Sequence, residues 1–157
     1  MIESCNNTSV GVLVRREGKL LLIERRNKPY GWAPPAGHVD NGESFHDAAI
    51  RELKEEVDLC SLQLRLLLWR QKFENQCRRP GGDWHQWSVF EATAAGTPAR
   101  SLSETRAMRW VTSLELEELI ALTKEHLATD ADSATWARKP GLEPVWVQIL
   151  DLVKEKL

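Results

Sequence analysis

Cysteine is scarce in this chain of 157 residues, and its spacing argues against a scaffold built on cysteines. Cys5, Cys60 and Cys77 are odd in number, and no two of them have the two-residue spacing of a zinc knuckle. Small secreted domains that depend on disulfides usually carry more cysteines, placed closer together. We therefore expect three reduced thiols.

Long apolar runs and a strong net charge are also missing. No stretch approaches the ~20 apolar residues of a membrane span. The first seven residues contain no apolar run of the kind found in secretory signals. The net charge of −2 gives no broad attraction to nucleic acid or anionic lipid. We expect a cytoplasmic protein, a single domain over residues 1–157, with no membrane partner and no nucleic-acid partner.

Apolar periodicity and turn residues predict alternating strands and helices. Strands are expected at 10–15, 20–25, 64–72, 84–93 and 107–111, and helices at 44–57, 114–124 and 143–156. A loop rich in glycine and proline is expected at 27–37, and a polar connection at 125–141. Strands that precede, separate and follow helices indicate an α/β fold around one mixed sheet.

The first helix carries a group of carboxylates that stability alone does not explain. Glu52, Glu55 and Glu56 stand at i, i+3 and i+4, which places them on one helix face, where like charges repel. A hard divalent cation converts that repulsion into a binding site, because Mg²⁺ prefers oxygen ligands. The alternative is a solvated acidic face. Ala36 and Gly37, just before the helix, favour the metal site because glycine lets bare backbone approach a ligand.

The spacing of these residues resembles the signature of the Nudix hydrolases. Gly37 is followed after five residues by Glu43, and after seven more by the run from Arg51 to Leu59. This is similar to the family's glycine, glutamate and Arg-Glu-aliphatic-x-Glu-Glu-x-Gly-aliphatic pattern at every specified position except Asp58, where the family has glycine. That position often needs a positive φ. Aspartate tolerates this better than most residues, so we expect a modest loss of stability and no loss of a ligand.

The resemblance implies an α/β/α sandwich around a mixed sheet, and Mg²⁺-dependent cleavage, with Mn²⁺ as the alternative ion, of a diphosphate bond in a nucleoside diphosphate linked to another group. A small nucleotide would be the substrate, and a homodimer is one expected assembly. The implied metal ligands are Glu52, Glu55, Glu56 and the carbonyl of Ala36. The implied catalytic carboxylates, one of them the general base, are Glu52, Glu56 and the loop residue Glu104. Glu43 and Arg51 are implied to orient the loop against the helix.

Other residues are weaker candidates, and other functions stay open. Arg25, Trp32 and Gly37 are candidate substrate contacts: a cation for phosphate, a ring for base stacking and a glycine for close approach. The histidines at 38, 46 and 85 are interpreted as surface side chains, because Mg²⁺ favours oxygen, and the arginines at 78 and 79 as solvated charges. The competing hypotheses are a nucleotide-binding module that does not cut its ligand, and an isomerase or RNA-processing variant of the same scaffold.

Overall fold

A computed structural model describes residues 2–129 and 133–157. The strands are β1 (Thr8–Arg16), β2 (Lys19–Arg25), β3 (Trp32–Ala33), β4 (Ala36–His38), β5 (Cys60–Glu74), β6 (Trp84–Ala95) and β7 (Thr105–Val111). The helices are α1 (Phe45–Val57), α2 (Ser113–Ala128), α3 (Ser133–Arg138) and α4 (Pro144–Val153), and a short 3₁₀ turn follows at Lys154–Lys156. None of the helices described is both long and apolar enough to cross a membrane.

The seven strands form one mixed sheet with the order β3-β2-β1-β6-β5. β1 lies parallel to β6, whereas the β1–β2, β1–β4, β2–β3, β2–β7 and β5–β6 pairs are antiparallel. β4 joins the sheet beside the first half of β1, and β7 lies along β2. The α/β prediction with a mixed sheet is therefore confirmed.

Side chains of β1 alternate between two apolar cores, one on each face of the sheet. Val10, Val12 and Val14 face α1, where they pack with its buried stripe. Leu13 faces the other way, toward α4 and Trp146. This period-two alternation is what a strand buried on both faces requires. The alternation places α1 on one face of the sheet, and the loop that leads into α1 lies on the same face.

Two segments that were predicted to lack regular structure contain some. The loop expected at 27–37 contains β3 and the first two residues of β4. The connection expected at 125–141 contains the end of α2 and all of α3, and its residues 130–132 lie outside the described residues. The two prolines that argued against regular structure lie between β3 and β4. These strands are only two and three residues long, and partners distant in sequence stabilise them.

Helix α1 begins and ends as its sequence predicts. The Ser44 side chain accepts a hydrogen bond from the Asp47 amide at the start. Asp58 ends the helix in the left-handed region, with φ 56° and ψ 35°, and its amide donates to carbonyls of the last turn. The residue that replaces the signature glycine thus adopts the conformation that glycine normally supplies.

Asp58→Gly is expected to raise the free energy of unfolding by up to about 1 kcal/mol, because glycine adopts this conformation without steric cost. Loss of the exposed ion pair with Lys54 reduces the gain. Chemical denaturation measures the change, and Asp58→Ala is the matched control. The alanine variant should be less stable than the wild type. A glycine variant no more stable than the alanine variant would contradict this explanation.

Candidate active site

Helix α1 presents its carboxylates to a cleft of about 650 Å³, a size typical of small-molecule sites. Glu52 and Glu56 are 7% and 5% exposed, while the side chain of Glu55 is 55% exposed at the rim. All three line the same cleft. The helical spacing therefore brings these carboxylates together, two of them deep in the cleft and one at its edge.

The backbone of β4 lies directly against these carboxylates. The Ala36 amide donates a hydrogen bond of 2.9 Å to Oε2 of Glu56. A Cβ on Gly37 would lie 2.0 Å from Oε1 of Glu52. A side chain at this position would have to displace the Glu52 carboxylate, so glycine is what lets the carboxylate lie against the strand.

Gly37→Ala should therefore displace the Glu52 carboxylate. Displacements of 1 Å at catalytic groups cost up to about 100-fold in rate, so we expect a loss of kcat/KM approaching that size. Gly42→Ala is the matched control, because a Cβ there would meet no atom within 4 Å. It should lower stability, owing to its φ of +79°, but leave activity intact. Equal activity of the Gly37 variant and the wild type would refute the close-approach argument.

Arg51 ties the loop and the helix together through one guanidinium. Its Nε and one terminal nitrogen donate to the two oxygens of Glu43 at 2.9 and 3.0 Å. Its other donors reach Glu52 at 2.7 Å, Glu55 at 3.1 Å and the His38 carbonyl at 2.8 Å. The hydrogen bond from Arg51 lowers the pKa of Glu43. Glu43 and Arg51 thus have the surroundings of orienting residues.

The two deep carboxyls have raised pKa values. Burial, opposed by Arg51 but aided by the charges of Glu55 and Glu104, raises the pKa of Glu52 to about 7. Burial and the Glu52 charge raise the pKa of Glu56 well above its usual range, against the hydrogen bond from Ala36. Crowded carboxyls of this kind are what a cation would stabilise. The donor set, which consists of oxygen alone, fits a hard divalent ion such as Mg²⁺.

Glu104 lies on the loop between β6 and β7, which is attached to the end of α1 by hydrogen bonds from the Ala99 and Ser101 amides to the Val57 and Glu56 carbonyls. Its backbone carbonyl accepts a hydrogen bond of 2.9 Å from the Arg26 amide, which anchors the loop to the end of β2. Its side chain lines the cleft, and its charge contributes to the raised pKa values of both Glu52 and Glu56. The structure therefore places this sequence-predicted carboxylate with those of the helix.

Arg25 and Trp32, the other two candidate substrate contacts, occupy different surroundings. Arg25 lines the cleft, and its Nε donates to the Pro29 carbonyl at 2.7 Å. Trp32 does not line the cleft in the described part of the chain. Its ring packs on the core of the opposite sheet face and lies 4.6 Å beneath the Arg109 guanidinium. The structure therefore gives no support to the base-stacking assignment of Trp32.

Further cations line the cleft, namely Lys28, Arg78 and Arg79. Arg78 is exposed, in keeping with its interpretation as a solvated charge, whereas Arg79 is only partly exposed. Arg78 and Arg79 come from the β5–β6 loop. Cations and carboxylates thus line the same cleft, which is what a phosphate chain and its counter-ions need. The arginine pair next to a Pro-Gly-Gly turn was the available signal.

Comparison with known proteins agrees with this geometry. The NUDIX domain family model matches residues 6–134. A bis(5'-nucleosyl)-tetraphosphatase of Mus musculus is 31% identical over 71% of this chain and 75% of its own length. The Caenorhabditis elegans enzyme of that name is 42% identical over 37% of this chain. The crystal structure of a MutT NUDIX hydrolase from Burkholderia pseudomallei superposes with a TM-score of 0.61 at 25% identity, covering 71% of this chain and 84% of that one.

These matches cover different shares of the proteins compared. The chain spans 45%, 20% and 28% of the length of three curated relatives that it matches, so their activities do not transfer whole. The family match is different, because it covers most of the chain, including helix α1, the loop before it and all seven strands of the sheet. The chain belongs to the NUDIX family.

Proposed function

We propose that this protein hydrolyses a diphosphate bond in a nucleoside diphosphate linked to another group, with a divalent metal ion as cofactor. The observation that carries the proposal is the convergence of Glu52, Glu56 and Glu104 in one cleft that several arginines also line. Names of relatives favour a nucleotide substrate, since they include a tetraphosphatase, a putative 8-oxo-dGTP diphosphatase and an ADP-ribose pyrophosphatase.

Glu52, Glu55, Glu56 and the Ala36 carbonyl would hold the metal, for which we propose Mg²⁺, with Mn²⁺ as a substitute. Bound there, the ion would neutralise phosphate charge and lower the pKa of an attacking water. Arg25, Arg78 and Arg79, which line the same cleft, would orient the phosphate chain. Arg51 and Glu43 would hold the Glu52 carboxylate in place.

The chemistry needs a base that removes a proton from the attacking water while the bridging P–O bond breaks. Glu104 is suited to this role, because it lines the same cleft as the carboxylates of α1 but lies on a separate loop. Glu52 and Glu56 are the other two candidates. If Glu104 is the base, Glu104→Gln should reduce kcat more than it raises KM.

The proposal is tested with a panel of nucleotides, namely a dinucleoside tetraphosphate, ADP-ribose, an oxidised deoxynucleoside triphosphate and a nucleotide sugar. Each is incubated with Mg²⁺, with Mn²⁺ and with chelator, and the products are identified by mass. Metal-dependent release of a nucleoside phosphate in ¹⁸O-labelled water, with label in the product, is expected. Binding without turnover under every condition would instead support a nucleotide-binding module.

A further inference from the structure

Two cysteines and two histidines, apart from the carboxylates of α1, converge where separate parts of the chain meet, and three of them also line the cleft. Cys5 precedes β1, His38 ends β4, Cys77 lies in the β5–β6 loop and His85 lies on β6. Their ligand atoms all lie within 4.8 Å of one another. The Cys5 sulfur is 3.4 Å from Nε2 of His38 and 3.2 Å from Nε2 of His85. The pattern is two sulfurs and two imidazole nitrogens around one point.

These distances match a tetrahedral zinc centre. Bonds of about 2.3 Å to sulfur and about 2.0 Å to nitrogen place neighbouring sulfur and nitrogen ligands about 3.5 Å apart. The two observed separations from Cys5 lie close to that value, and no pair exceeds 4.8 Å. Small side-chain rotations therefore complete the tetrahedron.

Hydrogen bonds from neighbouring backbone groups orient the four candidate ligands, as metal sites require. Nδ1 of His85 lies 3.0 Å from the Asn75 carbonyl, so Nδ1 donates its proton there and the lone pair of Nε2 points at the cluster. The Asn7 amide donates to the Cys5 sulfur at 3.3 Å, and the Arg79 amide to the Cys77 sulfur at 3.4 Å. Backbone donors of this kind stabilise thiolates.

The backbone already holds the two cysteine segments together. The Cys5 amide donates to the Pro80 carbonyl, and the Cys77 amide to the Gly82 carbonyl, both at 2.8 Å. A Cβ at Gly82 would lie 2.2 Å from the Cys77 sulfur and 3.3 Å from Cβ of Cys5. Gly82 thus leaves the space that the cluster occupies.

The ligand chemistry separates this cluster from the carboxylate site. Thiolate and imidazole ligands favour zinc over magnesium, whose preferred ligands are oxygens. A disulfide between the cysteines would use neither histidine, yet His85 is only 1% exposed and aimed at the sulfur. The interpretation of His85 as a surface side chain was therefore wrong. His38, likewise assigned to the surface, is only partly exposed.

We propose that Cys5, His38, Cys77 and His85 form a structural zinc site. All four positions are filled by the protein, so no position is left for a catalytic water. The ion would fasten the segment before β1 and the β5–β6 loop to β4 and β6. Four segments far apart in sequence would then be joined at one point.

The zinc site would also shape the cleft, and this consequence rests on the function proposed above. Arg78 and Arg79 directly follow Cys77, and both line the cleft. His38 follows Gly37, and its carbonyl accepts the 2.8 Å hydrogen bond from Arg51. Loss of zinc should therefore let Arg78 and Arg79 move away from the cleft. This should weaken nucleotide binding, so that KM rises more than kcat falls.

Metal analysis of the purified full chain tests the site without any activity assay. Protein exposed to zinc and dialysed free of excess ion should retain one zinc per chain. Cys77→Ser and His85→Gln should lose it. Cys60→Ser is the matched control, because this exposed cysteine lies outside the cluster, and it should retain the zinc. Glu56→Gln should also retain it, which separates failure of this site from failure of the hydrolase proposal.

Two measurements on the wild type keep the test valid if a variant does not fold. Replacement of zinc by Co²⁺ should give the visible bands of tetrahedral cobalt with a thiolate charge-transfer band. Alkylation should modify only Cys60 in the zinc form and all three cysteines after chelation. The proposal is overturned if the wild type retains no zinc, if Cys77→Ser retains it fully, or if Cys5 and Cys77 are found as a disulfide in zinc-treated protein.

Discussion

Glu56→Gln is expected to lower kcat/KM by more than about 100-fold, since even groups in the outer shell of metal sites are worth 10–100-fold. Glu56 is 5% exposed, and its carboxylate accepts a hydrogen bond from the Ala36 amide. The charges of Glu52 and Glu104 act on it. Glutamine keeps the size of the side chain and removes the charge that a cation needs. Steady-state rates with Mg²⁺ across the nucleotide panel measure the loss.

Two further variants serve as comparisons for the loss of activity expected of Glu56→Gln. Glu55→Gln, at the rim of the same helix face, should cost less, because its side chain is half exposed to water. Glu118→Gln, an exposed position on α2, should cost nothing. The Glu56 variant should also be at least as stable as the wild type without metal, because glutamine is neutral at every pH and the buried carboxyl is not. Retention of full activity by Glu56→Gln would remove Glu56 from the mechanism.

The second large effect is the loss of stability that Glu52 causes with rising pH in metal-free protein. The pKa of Glu52 is about 7 in the folded state against a usual 4.5, and that of Glu56 is also raised. Between these pH values the two carboxyls bind more protons in the folded chain than in the unfolded chain, so their contribution to the free energy of unfolding decreases as pH rises. Glu52 alone accounts for up to about 3 kcal/mol.

Denaturant titrations at several pH values, with chelator and with saturating Mg²⁺, measure this decrease. Mg²⁺ should abolish most of it, because the ion favours the charged carboxylates. Glu52→Gln without metal should lack this contribution. Glu43 and Glu91, whose pKa values are lowered, act in the opposite sense at lower pH. His38, whose pKa burial lowers to about 4, and His85, whose pKa burial also lowers, act in the opposite sense over the same pH range. A Glu52→Gln variant with the same pH dependence as the wild type would show that Glu52 is not perturbed as described.

Local sequence was sufficient to predict a feature wherever a single helix or strand contains all of the residues that determine it. The carboxylates of α1 and the Ser44 cap follow from positions within one helix, and the structure places them as expected. The conformation of Asp58 follows from the same local signal. The two-layer burial of β1 could also be anticipated from its apolar run.

Local sequence failed where distant segments complete a feature. β3 and β4 exist only because β2 and β1 pair with them. Trp32 packs on the other face of the sheet because β3 pairs with β2, which no pattern within the loop reveals. The zinc ligands come from four segments with no knuckle spacing, so only the folded chain brings Cys5 beside His85.

The central claim is that the carboxylates of α1 bind a divalent ion on which hydrolysis depends. Mn²⁺ binding followed by electron paramagnetic resonance, in parallel with turnover of the best nucleotide, tests it most directly. We predict that activity rises in proportion to Mn²⁺ occupancy in the wild type, and that Glu56→Gln loses tight binding and turnover together. Unchanged Mn²⁺ affinity in that variant, or full turnover with all metal removed, would contradict the claim.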